Sequence, residues 1–282
     1  MPADVFVDIH WLLDRIDDPL LRIVDARNVP HGAPVTMPSG AEQYASGHLP
    51  GAILLDYAHE LADPATPYAT RVAPEALFAR AVGAKGIGDD SVVVAYDAGT
   101  IPFAARIVWN FQYYGHLEAY ILAGGIAEWV GAGKPLTTAV PTFPAAVFTP
   151  EVQPRLRATR DEVLAVAEGR SPVQLLETQR DTTYAQRDRD ISGAVRLSGS
   201  LLLEDANGGR IADAETIERL VSERRIDRGK RTIVSCGSGV SAAGSYFALK
   251  AAGFVDVAVY DGSWMEWKHD ELPTVEKAPG VR

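Results

Sequence analysis

The feature that most constrains the fold is an alternation of short apolar segments with amphipathic segments, which occurs twice along the 282 residues. Short apolar runs bounded by turn residues predict buried strands, and apolar residues spaced three and four apart predict helices. The predicted strands of the first half are 21–25, 52–55, 91–96 and 119–122. The predicted helices of the first half are 8–16, 74–82, 102–113 and 126–130. Strands that alternate with helices are typical of an α/β domain with a parallel sheet.

The second half repeats this order. Its predicted strands are 173–177, 194–197, 232–235 and 257–260. Its predicted helices are 160–167, 214–224, 241–251 and 264–268. A chain of this length exceeds the usual size of one domain, and residues 134–157 between the halves contain five prolines and little helical periodicity. We therefore predict a first domain at 1–140, a linker at 141–157 and a second domain at 158–282.

The two halves also share sequence. Residues 122–129 (LAGGIAEW) line up with 260–267 (YDGSWMEW), and a glycine, the glutamate and the final tryptophan coincide. The preceding strands, 91–97 (SVVVAYD) and 232–236 (TIVSC), each run into a loop of small residues and then a helix. Asp97 in the first half therefore takes the position that Cys236 has in the second.

Composition and charge exclude several classes of function. The chain is 47% hydrophobic and 23% charged, which is typical of a globular protein, and its formal charge of −10 repels phosphate backbones and anionic lipids. No segment resembles a signal peptide or a membrane span, so we expect a cytoplasmic protein that binds neither nucleic acid nor membranes. The single cysteine cannot form an internal disulfide.

The loop around that cysteine is the strongest candidate site. Cys236 lies between a predicted strand and a predicted helix, and Gly237 and Gly239 permit a tight turn that directs backbone N–H groups at one point. Together with the positive end of the following helix, these groups would stabilise a thiolate, so we predict that the pKa of Cys236 is lowered. The alternative is a cysteine that merely packs at a strand end.

These segments resemble a known family. The loop 236–242 (CGSGVSA) is similar to the active-site loop of tandem-domain sulfurtransferases of the rhodanese type, especially the 3-mercaptopyruvate sulfurtransferases. Residues 260–267, 44–52 (YASGHLPGA) and 25–27 (DAR) resemble other signatures of that family. The resemblance implies an α/β fold of two tandem rhodanese-like domains, each a mainly parallel sheet flanked by helices. The first domain would be inactive and the second catalytic.

By the same resemblance, Cys236 receives sulfur from a small-molecule donor, holds it as a persulfide and passes it to an acceptor. The acceptor would be a thiol, cyanide or a thioredoxin-like protein, and no metal or organic cofactor is implied. The residues implied to form the active-site loop around the sulfur are Gly237, Ser238, Gly239, Val240 and Ser241.

The donor is predicted from the charge of this loop. Members of the family that use thiosulfate resemble Cys-Arg-Lys-Gly, whereas this chain has the neutral Gly237 and Ser238, which favours 3-mercaptopyruvate over thiosulfate. The segment 177–194 departs from the family pattern and lacks its usual donor-binding arginine. We expect Arg187 and Arg189 to supply that contact, with solvated surface arginines as the alternative. His48 is either a further substrate contact or a structural histidine.

Two other classes of function compete with this interpretation. A phosphatase of related fold closes its loop with an arginine six residues after the cysteine, and this chain has Ala242 there, which argues against phosphate hydrolysis. A non-enzymatic interaction or sulfur-sensing module would keep the fold without donor binding. The altered 177–194 segment favours that module, and the retained Cys236 with both glycines favours the enzyme.

Overall fold

The computed structural model describes residues 5–29, 36–67, 71–203 and 210–277, and it contains two compact units. The first unit is formed mainly by the chain before Pro154 and the second mainly by the chain from Pro154 onward. A short segment of the first half, around Ala65 and Arg71, groups with the second unit. Each unit has its own sheet and its own apolar core.

The first unit has a five-stranded parallel sheet in the order β1-β5-β4-β2-β3. Its strands are β1 (Phe6–Val7), β2 (Leu21–Asp25), β3 (Ala52–Leu54), β4 (Val92–Tyr96) and β5 (Ala119–Leu122). Its helices are α1 (Ile9–Leu13), α2 (Gly40–Ser46), α3 (Glu75–Ala84), α4 (Pro102–Tyr113) and α5 (Gly125–Gly131). Strand β4 is central and almost wholly buried, as expected for a parallel sheet that helices cover on both faces.

The second unit has a four-stranded parallel sheet and a two-stranded antiparallel ribbon, in the orders β10-β9-β6-β8 and β11-β7. Its strands are β6 (Gln174–Glu177), β7 (Arg189–Ile191), β8 (Val195–Arg196), β9 (Thr232–Ser235), β10 (Val257–Val259) and β11 (Thr274–Glu276). Its α-helices are α6 (Arg160–Ala167), α7 (Asp181–Tyr184), α8 (Gly199–Leu202), α9 (Ala214–Glu223), α10 (Val240–Ala251) and α11 (Ser263–His269).

The two sheets follow the same plan. The order β5-β4-β2-β3 in the first unit corresponds to β10-β9-β6-β8 in the second. A single parallel bridge from Arg157 to Val259 stands where β1 pairs with β5. The tryptophans of the shared motif make the same contact, because Trp129 Nε1 donates to the Pro135 carbonyl and Trp267 Nε1 to the Pro273 carbonyl, each at 2.9 Å.

The predicted fold class is confirmed, and each predicted strand and helix has a counterpart within a few residues of its predicted bounds. Several short elements were not predicted. These are β1, α2, α7, β7, α8 and β11. Among the described residues, no helix combines the length and apolar character needed to cross a bilayer.

Candidate active site

Cys236 lies directly after β9, at the carboxyl end of a central parallel strand, and α10 begins four residues later, at Val240. This end of a parallel sheet is where α/β proteins commonly carry their functional loops. The residue before the helix, Gly239, has a φ of 78°, a left-handed conformation that glycine adopts without steric cost. The tight turn that the two glycines predicted is therefore present.

The sulfur of Cys236 is enclosed by backbone amides. The residue is 1% exposed, and the Gly239 N–H donates to Sγ at 3.1 Å. The N–H groups of Ser238 and Ala242 also favour the thiolate form and so act to lower the pKa of the thiol. Donors fixed in this way stabilise negative charge on the sulfur without having to reorient.

Despite these amides, the pKa of Cys236 is raised. Burial of the sulfur is the largest cause, the nearby Glu177 carboxylate adds to it, and the N–H groups of Ala242, Ser238 and Gly239 oppose it. The prediction of a lowered pKa is therefore wrong. It considered only the loop and the helix, whereas enclosure of the sulfur and a carboxylate from the adjacent strand outweigh both.

The loop is held from behind by the start of α11. The Cys236 N–H donates to Ser263 Oγ at 3.1 Å, and that hydroxyl donates to the Tyr260 carbonyl at 2.6 Å. The N–H groups of Trp264 and Met265 donate to the carbonyls of Cys236 and Gly237, each at 3.0 Å. Ser263 was not among the predicted site residues. The sequence signal that could have identified it is its position in the 260–267 motif.

The equivalent loop of the first unit contains an anion of its own. The Asp97 carboxylate, almost fully buried, accepts hydrogen bonds from five backbone N–H groups over 2.8–3.4 Å. The donors are Gly99, Thr100, Ile101, Phe103 and Ala104. The Ile126 N–H binds the Asp97 carbonyl at 2.9 Å, as Trp264 binds that of Cys236. A loop of this shape therefore accommodates negative charge.

Arg187 is buried close to the Cys236 loop and is already paired. Its side chain is 7% exposed and contacts the carboxylates of Glu177, at 2.5 Å, and Asp190. It also donates to Gln179 Oε1 at 3.1 Å. The alternative of a solvated surface arginine is therefore wrong for Arg187, and its guanidinium is occupied by carboxylates of the protein itself.

The Arg189 side chain is directed at Thr274 on β11. It lies on β7, is 43% exposed, and donates from Nε to Thr274 Oγ1 at 2.6 Å and from Nη2 to the Thr274 carbonyl at 3.1 Å. Arg187 and Arg189 both line a depression of about 350 Å³ together with Trp264 and Lys268. Cys236 is not among the described residues that line it, so the depression is not the immediate surroundings of the sulfur.

His48 belongs to the first unit and is fully buried. Its ring stacks on Tyr44 with centroids 3.8 Å apart. Its Nδ1 lies 2.9 Å from the Tyr44 carbonyl oxygen and its Nε2 lies 3.1 Å from that of Ala139. Because both ring nitrogens already face backbone acceptors, these contacts favour a structural histidine over a substrate contact.

Comparison with known protein families finds a match in both halves. Residues 8–132 and 159–270 each match the model described as a rhodanese-like domain. Together the two matches cover well over half of the chain. They also correspond to the two units with equivalent sheets.

Curated relatives and solved structures agree with this match. Thiosulfate sulfurtransferase from Cricetulus griseus is 31% identical, over 97% of this chain and 95% of its own length. The 3-mercaptopyruvate sulfurtransferase from Escherichia coli K12 is 29% identical, over 95% of this chain and 96% of its own. The crystal structure of SseA from Escherichia coli, a 3-mercaptopyruvate sulfurtransferase, superimposes with a TM-score of 0.82 and 29% identity, covering 93% of this chain and 99% of that one.

Proposed function

The chain belongs to the rhodanese-like family and is a sulfurtransferase, and on that premise we propose that Cys236 is its sulfur carrier, taking sulfur from a donor and holding it as a persulfide. The observation that carries this proposal is the Gly239 N–H that donates to Sγ at 3.1 Å, together with the Ser238 and Ala242 N–H groups, which also favour the thiolate. Gly237, Val240 and Ser241 complete the proposed active-site loop. No other thiol in the chain competes for the role, since Cys236 is the only cysteine.

The proposed reaction has two half-reactions at the same sulfur. The Cys236 thiolate attacks the donor sulfur, an S–S bond forms, and the bond between that sulfur and the rest of the donor breaks with its electron pair going to the leaving group. With 3-mercaptopyruvate the leaving group is the enolate of pyruvate, which then takes a proton. With thiosulfate it is sulfite. An acceptor thiolate or cyanide next attacks the outer sulfur and regenerates the Cys236 thiolate.

The amides around Sγ act on the charged species of both half-reactions. The attacking thiolate and the persulfide anion each carry negative charge at a place where fixed N–H groups donate. The five amides on Asp97 support this assignment, because the same kind of loop holds a permanent anion in the first unit. With Asp97 in place of a cysteine, we propose that the first domain is inactive.

We propose 3-mercaptopyruvate as the preferred donor. The loop residues Gly237 and Ser238 carry no charge, and the charged group that acts most on the sulfur is the Glu177 carboxylate. A dianionic donor gains nothing from such surroundings, whereas a donor with one remote carboxylate is repelled less. Thiosulfate is the second candidate, because relatives at 31% identity carry the name thiosulfate sulfurtransferase. The acceptor is proposed to be a thiol, cyanide or a thioredoxin-like protein, and the location cytoplasmic.

The experiment for the carrier is intact-mass measurement after incubation with each donor. We expect a gain of about 32 Da, one sulfur atom, that a thiol reductant removes; two added oxygens give a similar mass, but the resulting sulfinic acid resists the reductant. The Cys236→Ser variant should show no gain. Absence of a reducible adduct with both donors would refute the proposal.

The experiment for the donor uses Ser238→Lys, which adds one cation to the loop. We expect the ratio of kcat/KM for thiosulfate to kcat/KM for 3-mercaptopyruvate to rise about tenfold, since a nearby opposite charge favours the dianion more than the monoanion. An unchanged ratio would contradict the charge argument. The matched control is Ser222→Lys, which adds the same cation at an exposed position on α9 and should leave the ratio unchanged.

A further inference from the structure

A buried carboxylate lies at the strand end beside the Cys236 loop. Glu177 is the last residue of β6 and pairs in register with Ser235, the residue before Cys236. It is 1% exposed, and it is the charged group that acts on the sulfur. Burial raises the pKa of Glu177, while Arg187 and the N–H of Gln179 favour its ionised form.

Arg187 connects this carboxylate to several neighbours, which we call the Arg187 cluster. Its members are Glu177, Gln179, Tyr184, Arg187, Asp190 and Trp264. The guanidinium carbon lies 4.6 Å from the ring centroid of Trp264 and 4.9 Å from that of Tyr184. The planar group therefore contacts two aromatic rings and two carboxylates at once, which fixes its position closely.

Two members of the cluster contact the Cys236 loop directly. A Cβ placed on Gly237 would lie 3.2 Å from Gln179 Nε2, so the Gln179 amide packs against the loop backbone. The Trp264 N–H donates to the Cys236 carbonyl. Arg187 binds Gln179 through Oε1 and covers Trp264 with its guanidinium. It thus contacts the side chains of two residues that themselves contact the loop, Gln179 through its side-chain amide and Trp264 through its backbone N–H.

The first unit also has a buried carboxylate at the corresponding strand end, and it is paired with an arginine from a different position in the sequence. At the end of β2, which corresponds to β6, Asp25 pairs with Arg27 at 2.6 Å two residues further along. In the second unit Gln179 stands at that spacing and carries no charge. The guanidinium comes instead from Arg187, in the turn after α7. Both units therefore place a buried arginine on the carboxylate at this strand end.

The other charged groups around the cluster are also paired. Asp190, on β7, accepts from the Tyr184 hydroxyl at 2.5 Å. Arg196, on β8, binds the Glu177 and Gln179 carbonyls and the Asp181 carboxylate. Lys277, after β11, donates to the carbonyls of Tyr184 and Arg187. Glu177 is accordingly the charged member of the cluster whose field acts on Cys236, and Arg187 is the cation on its carboxylate.

We propose that Arg187 is a positioning residue for Cys236: it neutralises the Glu177 carboxylate beside the sulfur and holds Gln179 and Trp264 against the loop. This inference rests on the proposed role of Cys236 as sulfur carrier and deepens it. In this role Arg187 acts through Glu177, Gln179 and Trp264, which its guanidinium contacts. Its role is to keep the thiol available for ionisation in a site that burial alone makes unfavourable for a thiolate.

The experiment measures the rate of Cys236 alkylation by iodoacetamide across a pH range, on the full chain. Arg187→Gln should slow alkylation about tenfold near neutral pH and move the profile to higher pH, because Glu177 then lacks its cation. Glu177→Gln should speed alkylation and move the profile to lower pH. The double variant should follow the Glu177→Gln profile, because without Glu177 the arginine has no carboxylate beside the sulfur to neutralise. Arg219→Gln, from an exposed pair with Glu223, is the control and should keep the wild-type profile.

A folded Arg187→Gln protein with the wild-type profile would overturn the proposal. If Arg187→Gln does not fold, Arg187→Lys replaces it: the lysine keeps the charge, so its profile should stay at the wild-type pH while that of Glu177→Gln moves down. No movement with Glu177→Gln would overturn the proposal as well. Because alkylation needs no sulfur donor, the predicted shifts in a protein that forms no persulfide would support this proposal and refute the proposed function alone.

Discussion

Asp97 and Cys236 occupy the same position in the two units, each directly after an inner strand of its sheet and each with its carbonyl bound by the backbone N–H of a short helix later in the same unit, α5 for Asp97 and α11 for Cys236. One side chain is an anion that its loop binds permanently. The other is a buried thiol whose pKa is raised, so that it is an anion only at alkaline pH. Both loops therefore surround a side chain with backbone N–H donors, and only the loop of the second unit places a thiol among them.

Asp97→Ala should destabilise the first unit, because five buried N–H groups lose their common acceptor. Hydrogen bonds to a charged group contribute about 1.5–3 kcal/mol each, so we expect a loss of at least about 3 kcal/mol in the free energy of unfolding. Urea denaturation measures this loss. Asp161→Ala, at an exposed carboxylate, is the control, and equal midpoints for the two variants would contradict the expectation.

Ser263→Ala removes the acceptor of the Cys236 N–H. The buried N–H is left unpaired, so the free energy of unfolding should fall by about 1–3 kcal/mol and persulfide formation should slow. Rapid-quench mass measurement of the adduct and urea denaturation test the two effects. A variant with wild-type values in both would show that Ser263 does not hold the loop.

The pH dependence of persulfide formation should follow the thiolate of Cys236. Burial and Glu177 raise the pKa of this thiol, so at neutral pH most molecules carry the unreactive protonated form. Below the pKa the thiolate fraction grows about tenfold per pH unit, and the rate should rise with it into the alkaline range. Single-turnover rates across that range provide the measurement. A plateau that begins below neutral pH would contradict the raised pKa.

Gly239→Ala and Gly237→Ala form a matched pair within one loop. Gly239 has a φ of 78°, where a side chain costs about 1–2 kcal/mol, so its variant should lower the free energy of unfolding by that amount. At Gly237 the new methyl group would meet only the end of the Gln179 side chain, at 3.2 Å, which can shift. Chemical denaturation should therefore rank Gly237→Ala as the milder change, and the reverse order would be inconsistent with the loop conformation.

Much of the fold was predictable because periodicity reports local burial. Strand β9 and helices α4 and α6 have the predicted bounds, since each is a continuous apolar or amphipathic stretch. Helix α2 was missed although Ser39 and Glu42 form a capping box at its start, which is a readable signal. The ribbon of β7 and β11 had no such signal, because its short polar strands pair across a long stretch of chain.

The site was predictable only in part. The position of the cysteine, the turn and the following helix are local, and a motif predicts them. The sign of the Cys236 pKa shift and the burial of Arg187 depend on which side chains neighbouring strands bring together, and Glu177 meets the loop only through the pairing of β6 with β9. No property of residues 177–194 alone reveals those contacts.

The burial of Cys236 affects which molecules can reach its sulfur. Cys236 is 1% exposed, so two copies of the empty enzyme are shielded from joining through a disulfide. In the proposed reaction, a persulfide would extend the side chain by one S–S bond, about 2 Å, and the transferable sulfur would be its outermost atom. If Cys236 carries sulfur as proposed, the empty and the loaded protein differ in how far the reactive sulfur extends, and an acceptor at the protein surface would meet the sulfur of the loaded form first.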